Sequence, residues 1–208
     1  MAFPVPLTSK LTGATIAQLS SWRRTGLLTP EVSSKPAALY SFRDLLALRT
    51  VVRLRSTVSL QKIRLAFDSM AELDLTEHPS QYQLVHYSDS IALVETDGEA
   101  IDLVSKKHQG IITNLDDVFR PFSNFRGDHV TDFRHPSAFL EVKERRLGGW
   151  PTIASTRVPY DLIANLVEQG VSPGQIHEIY PTVTAAAAED AGRFQAELKS
   201  GRPLQAVA

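Results

Sequence analysis

Thr15-Ile16-Ala17-Gln18-Leu19-Ser20-Ser21-Trp22-Arg23-Arg24-Thr25-Gly26 reads as a short helix with its own start and stop. Thr15 suits the N-cap, because a threonine hydroxyl accepts an N–H that the first turn leaves without an intrahelical partner. Ile16 and Leu19 stand three apart and mark one face, while Gln18, Ser21 and Trp22 are assigned to another. Arg23 and Arg24 favour the negative end of the helix dipole, and Gly26 supplies the backbone freedom that ends it. Working outward, Leu27, Leu28 and Pro30 lead the chain away, and residues 31–39 have loop composition, with Ser33, Ser34, Lys35 and Pro36. Ser41 with Asp44 three residues on is a capping box for a second helix carried by Leu45, Leu48 and Val52. Ser59 opens a third, striped by Leu60, Ile63, Phe67 and Met70. Before the quoted stretch, Pro4 and Pro6 precede a short bracing helix, Leu7 to Leu11, closed by Gly13.

Charge is distributed unevenly. Residues 1–70 hold ten Lys/Arg against three Asp/Glu, and residues 71–208 hold twelve against twenty, so a net charge of −1 conceals a basic head on an acidic body. Binding to a phosphate backbone is largely electrostatic, and the head is where it would dock. Taken alone, a Trp and two Arg on one short helix also fit a solvated face with a snorkelling indole.

The run Gln18 to Leu28, then Pro30, then Tyr40-Ser41-Phe42 with Asp44-Leu45 and Leu48-Arg49, then Val58 to Arg64, resembles the winged helix-turn-helix of MerR-type transcription regulators. That resemblance implies a helix in the major groove with a wing against the phosphates. It implies DNA contact by Thr15, Gln18, Ser21, Trp22, Arg23 and Arg24, with Lys35, Tyr40 and Arg43 from the wing side. The positions before Tyr40, usually basic in that family, are Ala38 and Leu39 here. The long dimerisation helix of MerR-type sensors has no counterpart, since Glu72 to Glu77 is short and Pro79 stops it.

In the middle, Tyr82 to Tyr87, Ile91 to Thr96, Glu99 to Val104 and Gly110-Ile111-Ile112 are short and rich in β-branched or aromatic residues, with Asp97-Gly98 as a hairpin signal. A small antiparallel sheet of three or four strands is expected, serving as a sensor pocket, a spacer or a dimerisation surface. Leu115 to Phe122 reads as a helix capped by Asn114, with Asp116 and Asp117 at its positive end. Those two carboxylates are neighbours in sequence and do not converge on one point of a helix, which argues against a metal or catalytic pair. Residues 124–136 read as a polar linker, and the six histidines show no ligand spacing.

Toward the C-terminus, Phe139 to Val142 suggests a short strand. Gly148-Gly149-Trp150-Pro151 then leads into a helix from Tyr160 to Gln169 that buries Leu162, Ile163, Leu166 and Val167. Ser172-Pro173 starts another, with Ile176, Ile179 and Tyr180 as its stripe, and Thr184 caps an Ala-rich third ending near Lys199. The run Gly149 to Pro159, continued by Gly170-Val171-Ser172 and Ile179-Tyr180-Pro181, resembles a small domain-of-unknown-function family found among VapB-type antitoxins, with Ser155 where the usual pattern has Gly. This implies one half of a toxin–antitoxin pair, of the larger actinobacterial kind, whose partner is a PIN-like, metal-dependent ribonuclease. Arg157 and Arg193, with Tyr160 and Phe194, are the candidate toxin contacts, since an Arg fork matches carboxylates bidentately. Arg157 fits a local anchor within its loop better than a toxin contact, and a trihelical tail also resembles helix-turn-helix units, leaving DNA contact or self-association by the tail open.

The expected fold is α+β: a winged helix over 1–75, a small antiparallel β-sheet and linker over 76–136, and a trihelical, helix-turn-helix-like domain over 137–208. The expected function is a VapB-like antitoxin that neutralises its toxin and represses its own operon as a homodimer on operator DNA. The alternative is a MerR-like regulator with a ligand-sensing middle and no toxin. An enzyme is not expected, for want of a nucleophile–base motif, phosphate loop or metal spacing. Zero cysteines exclude disulfides and thiolate metal sites. With no apolar span or leader in view, no cofactor, no membrane and a cytoplasmic location are expected.

Overall fold

Proline is tolerated in the first turn of a helix, where its missing N–H has no partner to lose. Accordingly strand β1 (Phe3–Pro4) passes directly into α1 (Val5–Thr12) in the computed structural model, which describes residues 1–72, 83–87, 90–94, 100–104 and 118–200. Helix α2 (Ile16–Arg24) opens on a complete capping box: Thr15 Oγ1 accepts the Gln18 N–H at 3.1 Å and Gln18 Oε1 accepts the Thr15 N–H at 2.8 Å. The chain then forms the wing, closed where Ser33 bridges Leu39, and returns through β2 (Leu39–Tyr40), which pairs antiparallel with β1. Ser41 and Asp44 cap α3 (Phe42–Arg55); Asp44 Oδ2 also accepts the Glu31 N–H at 2.9 Å, so one buried carboxylate ties the wing to the helix that follows it. Helix α4 (Leu60–Glu72) completes the head.

Strands β3 (Gln83–Tyr87), β4 (Ser90–Val94) and β5 (Ala100–Asp102) form the antiparallel middle sheet in that order, with Leu84, Ile91 and Leu93 in the core. The hairpin signal Asp97-Gly98, the strand expected at Gly110 to Ile112 and the pair Asp116 and Asp117 lie outside the described residues. The helix expected over 115–122 is corrected at its C-terminal end, where Phe122 begins β6 (Phe122–Ser123), paired with β7 (His129–Val130). Within residues 124–136, expected as a polar linker, residues 124–130 belong to this hairpin. Asn124 Oδ1 accepts the N–H groups of Arg126 at 2.9 Å and Asp128 at 3.0 Å, and this side-chain-templated turn makes a hairpin out of a polar sequence.

The tail has β8 (Leu140–Glu141) paired with β9 (Thr152–Ile153), then α5 (Tyr160–Glu168), α6 (Pro173–Ile179) and α7 (Ala185–Ser200). Ser172 forms its capping box and Thr184 caps α7 as their positions imply. Leu162 and Ile179, expected in the stripes, are 40% and 60% exposed. Ile163 and Ile176 of the same stripes are buried as expected, and Phe194 packs with them.

One hydrophobic cluster runs from Phe3 through the head and middle sheet to Phe194. An aromatic ladder crosses from head to tail, with ring centroids 5.6 Å apart for Phe3 and Trp150, 6.2 Å for Trp150 and Tyr160, and 5.1 Å for Tyr160 and Phe194. Gly149, at φ +81°, lets the tail come so close to Phe42 that a Cβ there would lie 2.2 Å from its ring. At the centre is Arg49, fully buried on α3. It donates to the carbonyls of Leu11, Val118, Phe119, Arg120 and Thr131, and its guanidinium lies 5.2 Å from the Phe122 ring centroid and 5.6 Å from that of Phe133. The Leu11 carbonyl is one that the last turn of α1 leaves without a helical partner, and a cation there complements the dipole. Burial pushes the Arg49 pKa down to about 10, so it remains charged at neutral pH.

Candidate nucleic-acid interface

Helix α2 is a surface helix with two buried anchors, Leu19 and Trp22. They stand three residues apart and so share a face. That spacing corrects the assignment of the indole to the outer side: Trp22 is 3% exposed and belongs to the core, while Ile16, in the first turn, is 50% exposed. Trp22 thereby leaves the contact surface. So does Tyr40, 1% exposed and held in β2 opposite Phe3; burial raises its pKa, with the nearby Arg23 opposing and Asp44 reinforcing the effect.

The remaining residues fall into three kinds. Thr15 and Gln18 spend polar atoms on each other at the N-terminus of α2, so they position the helix start. Arg23 is half-buried and donates from Nη1 to the Ser34 carbonyl at 3.3 Å, bracing α2 against the wing. Arg43 is ion-paired with Glu31, which also accepts from Ser41 Oγ at 2.6 Å, so much of its charge is answered within the protein. Arg24 on the last turn of α2 and Lys35 on the wing are exposed, and their side chains have no hydrogen-bonding or ionic partner among the described residues. Ser21 is half-buried beside them in sequence. These outward groups can reach phosphates and base edges. The head's charge excess is thus carried by fewer side chains than its composition implies, since Arg49 is interior.

Two cations outside the expected set lie at the ends of α2. Arg64 on α4 donates from Nη2 to Thr25 Oγ1 at 3.3 Å, beside Arg24. Arg126, on the hairpin between β6 and β7, lines a groove of about 420 Å³ together with Thr15, Ile16 and Ala17. Arg64 stands within the resembling motif and was legible; Arg126 reaches α2 only through tertiary folding.

In the tail, Arg157 is exposed, and Arg193 is exposed and paired with Asp190 at 3.1 Å. Tyr160 and Phe194 are 3% and 2% exposed and form the inner rungs of the aromatic ladder, with Lys10 Nζ lying 5.6 Å from the Phe194 ring centroid. The expectation that these two rings present themselves to a partner is therefore corrected. Among the described residues no three His, Asp or Glu side chains are grouped to hold a metal, and no helix is long and apolar enough to cross a membrane.

Two family models match separate parts of the chain. Residues 7–69 match the model of the MerR HTH family regulatory protein, and residues 140–194 match a family described as protein of unknown function, DUF433. Uncharacterized HTH-type transcriptional regulators of Mycobacterium bovis and Mycobacterium tuberculosis are each 32% identical over 161 residues, spanning 69% of this chain and 70% of the relative. No solved structure matches.

Proposed function

The chain belongs to the family of HTH-type transcriptional regulators with a MerR-type head, and from that premise we propose that it is a repressor that reads a near-palindromic operator as a homodimer. The observation that carries this is the outward presentation of Arg24 and Lys35 on α2 and the wing, on a helix whose inner face is anchored by Leu19 and Trp22. A helix anchored on one side and cationic on the other is suited to lie in a groove with phosphates alongside. Two heads on a two-fold axis read one half-site each.

Electrophoretic mobility shift on DNA from upstream of its own gene, across a salt series, tests the reading. Arg24→Ala with Lys35→Ala leaves up to two phosphates per head without their cation, and the slope of log K against log salt should flatten by about 0.9 for each such phosphate. An unchanged affinity and slope sink the reading.

The finer function is that of an antitoxin whose tail engages a PIN-like ribonuclease. What supports it is the resemblance of residues 149–159 to VapB-type tails, together with the exposure of Arg157 and Arg193. Co-expression with the product of the adjacent gene tests it. An inhibitory complex that survives purification is expected, and its absence removes the antitoxin function while leaving the repressor.

A further inference from the structure

The tail carries a cationic recess of about 400 Å³, lined by Lys143, Arg145, Arg146, Ser155, Thr156 and Arg157. Its floor is built around a buried carboxylate. Glu141, 8% exposed, is ion-paired with Lys143 and with Arg146 Nη1 at 2.6 Å, and accepts the Ser155 N–H at 3.3 Å. Burial alone would raise the pKa of Glu141, but these donors and the Lys143 charge hold it below the usual carboxylate range. One anion therefore orients two cations. Arg145 and Arg157, both exposed, have no carboxylate of their own among the described residues. Four cations line this recess and two of them pair with Glu141, on a body whose overall balance is acidic.

Its position is informative. The turn that follows Arg146 packs on the base of the wing. A Cβ on Gly148 would lie 3.2 Å from Met1 Cβ, a Cβ on Gly149 would strike the Phe42 ring, and Trp150 packs on Phe3, the residue paired with Tyr40. Arg43 follows Phe42 directly. The loop that carries the recess is thus packed against β1 and the start of α3, next to the base of the wing.

We infer that this recess is a second phosphate clamp, with which the tail grips the DNA backbone flanking the half-site that the head reads. The inference rests on the repressor reading and extends its footprint. Arginine forks and an exposed serine hydroxyl suit phosphate oxygens, and unpaired guanidinium groups beside a wing add affinity without base specificity. An acidic protein surface would suit the same cations, but the packing of this loop beside the wing base favours DNA.

The test uses the full chain carrying Arg145→Ala with Arg157→Ala, its charge-retaining counterpart Arg145→Lys with Arg157→Lys, and Arg24→Ala as the control for the head. Each is measured on a minimal operator duplex and on one extended by about ten base pairs per side, roughly one helical turn. The alanine pair should bind the extended duplex roughly tenfold more weakly at constant salt and shorten its footprint. Its salt slope should flatten by about 0.9 for each phosphate left without a cation, with binding to the minimal duplex unchanged. The lysine pair should restore most of the slope. Identical footprint and slope for wild type and the alanine pair, while Arg24→Ala still weakens binding, overturn the clamp and leave the head reading intact. Loss of an acidic protein partner by the alanine pair without any change on DNA also overturns it. No effect of Arg24→Ala on either duplex strikes at the head reading itself.

Discussion

Replacing Arg49 with Met should loosen the 118–131 segment from the head. The methylene stem is kept and the guanidinium is lost, leaving the carbonyls of Leu11, Val118, Arg120 and Thr131 without that donor, while the Phe119 carbonyl keeps the Phe133 N–H at 2.8 Å. An unsatisfied buried polar group costs about 1–3 kcal/mol, so four of them near the lower end amount to roughly 5–6 kcal/mol. Against this stands relief of the desolvation that pushes the Arg49 pKa down to about 10, worth roughly 3 kcal/mol at 1.36 kcal/mol for each tenfold change. The expected net loss is about 2–3 kcal/mol, near the lower end of the range for breaking a buried charge network. With an m-value of about 2 kcal/mol/M in urea, the midpoint should fall by roughly 1–1.5 M. The two tryptophans, Trp22 in the head and Trp150 in the tail, make fluorescence a probe of both halves. Hydrogen exchange should locate the damage in 118–131, with protection in α2 lost later. Arg49→Lys, with three rotatable donors in place of a five-donor fork, should recover only part of the loss. An Arg49→Met midpoint within about 0.3 M of wild type, less than 1 kcal/mol at that m-value, would refute the hub.

Ser155 sits at φ +61°. A left-handed conformation costs an L-residue about 1–2 kcal/mol, so Ser155→Gly should stabilise the tail by up to about 1 kcal/mol in thermal unfolding once the extra chain entropy of glycine is subtracted. No gain would mean that the turn relaxes. Asp190, 3% exposed, accepts from Ser137 Oγ at 2.8 Å, the Phe139 N–H at 2.9 Å and Arg193 Nη2 at 3.1 Å. Asp190→Ala should cost about 2–4 kcal/mol, because it frees the β8 approach from α7, and a loss under about 1 kcal/mol counts against that role. The lowered pKa of Glu141 contributes stability that is present above the unfolded glutamate value and is lost as pH falls through the folded one. Acid unfolding of Glu141→Gln should therefore be shallower than that of wild type, and parallel curves contradict the pairing.

Capping chemistry was the most legible layer of the sequence. Thr15 with Gln18, Ser41 with Asp44, Ser172 with Gln175 and the cap at Thr184 all stand where local residue types place them, because an N-cap is decided within four residues. Facing was less legible. Trp22, Tyr40, Tyr160 and Phe194 have polar or cationic neighbours in sequence, yet all four turn inward, because an aromatic ring buries more apolar area than any other side chain available to fill the junction. The hairpin at 122–130 was hidden because its turn is templated by the Asn124 side chain and its outer edge is polar. Arg49 was hidden for a related reason. An arginine at helical spacing among apolar residues reads as solvated unless the carbonyls that surround it, which come from residues far along the chain, are known.

The central claim is that the outer edge of α2 and the wing lie against DNA while Leu19 and Trp22 hold them from behind. Photo-crosslinking with a photoreactive amino acid placed singly at Arg24, Lys35 and the remote, exposed Ile179 tests it most directly on the operator fragment. Crosslinks from positions 24 and 35 to bases and backbone within one half-site, with none from 179, are expected. Crosslinks from 179 with silence at 24 and 35 would place the DNA on another face and contradict the account.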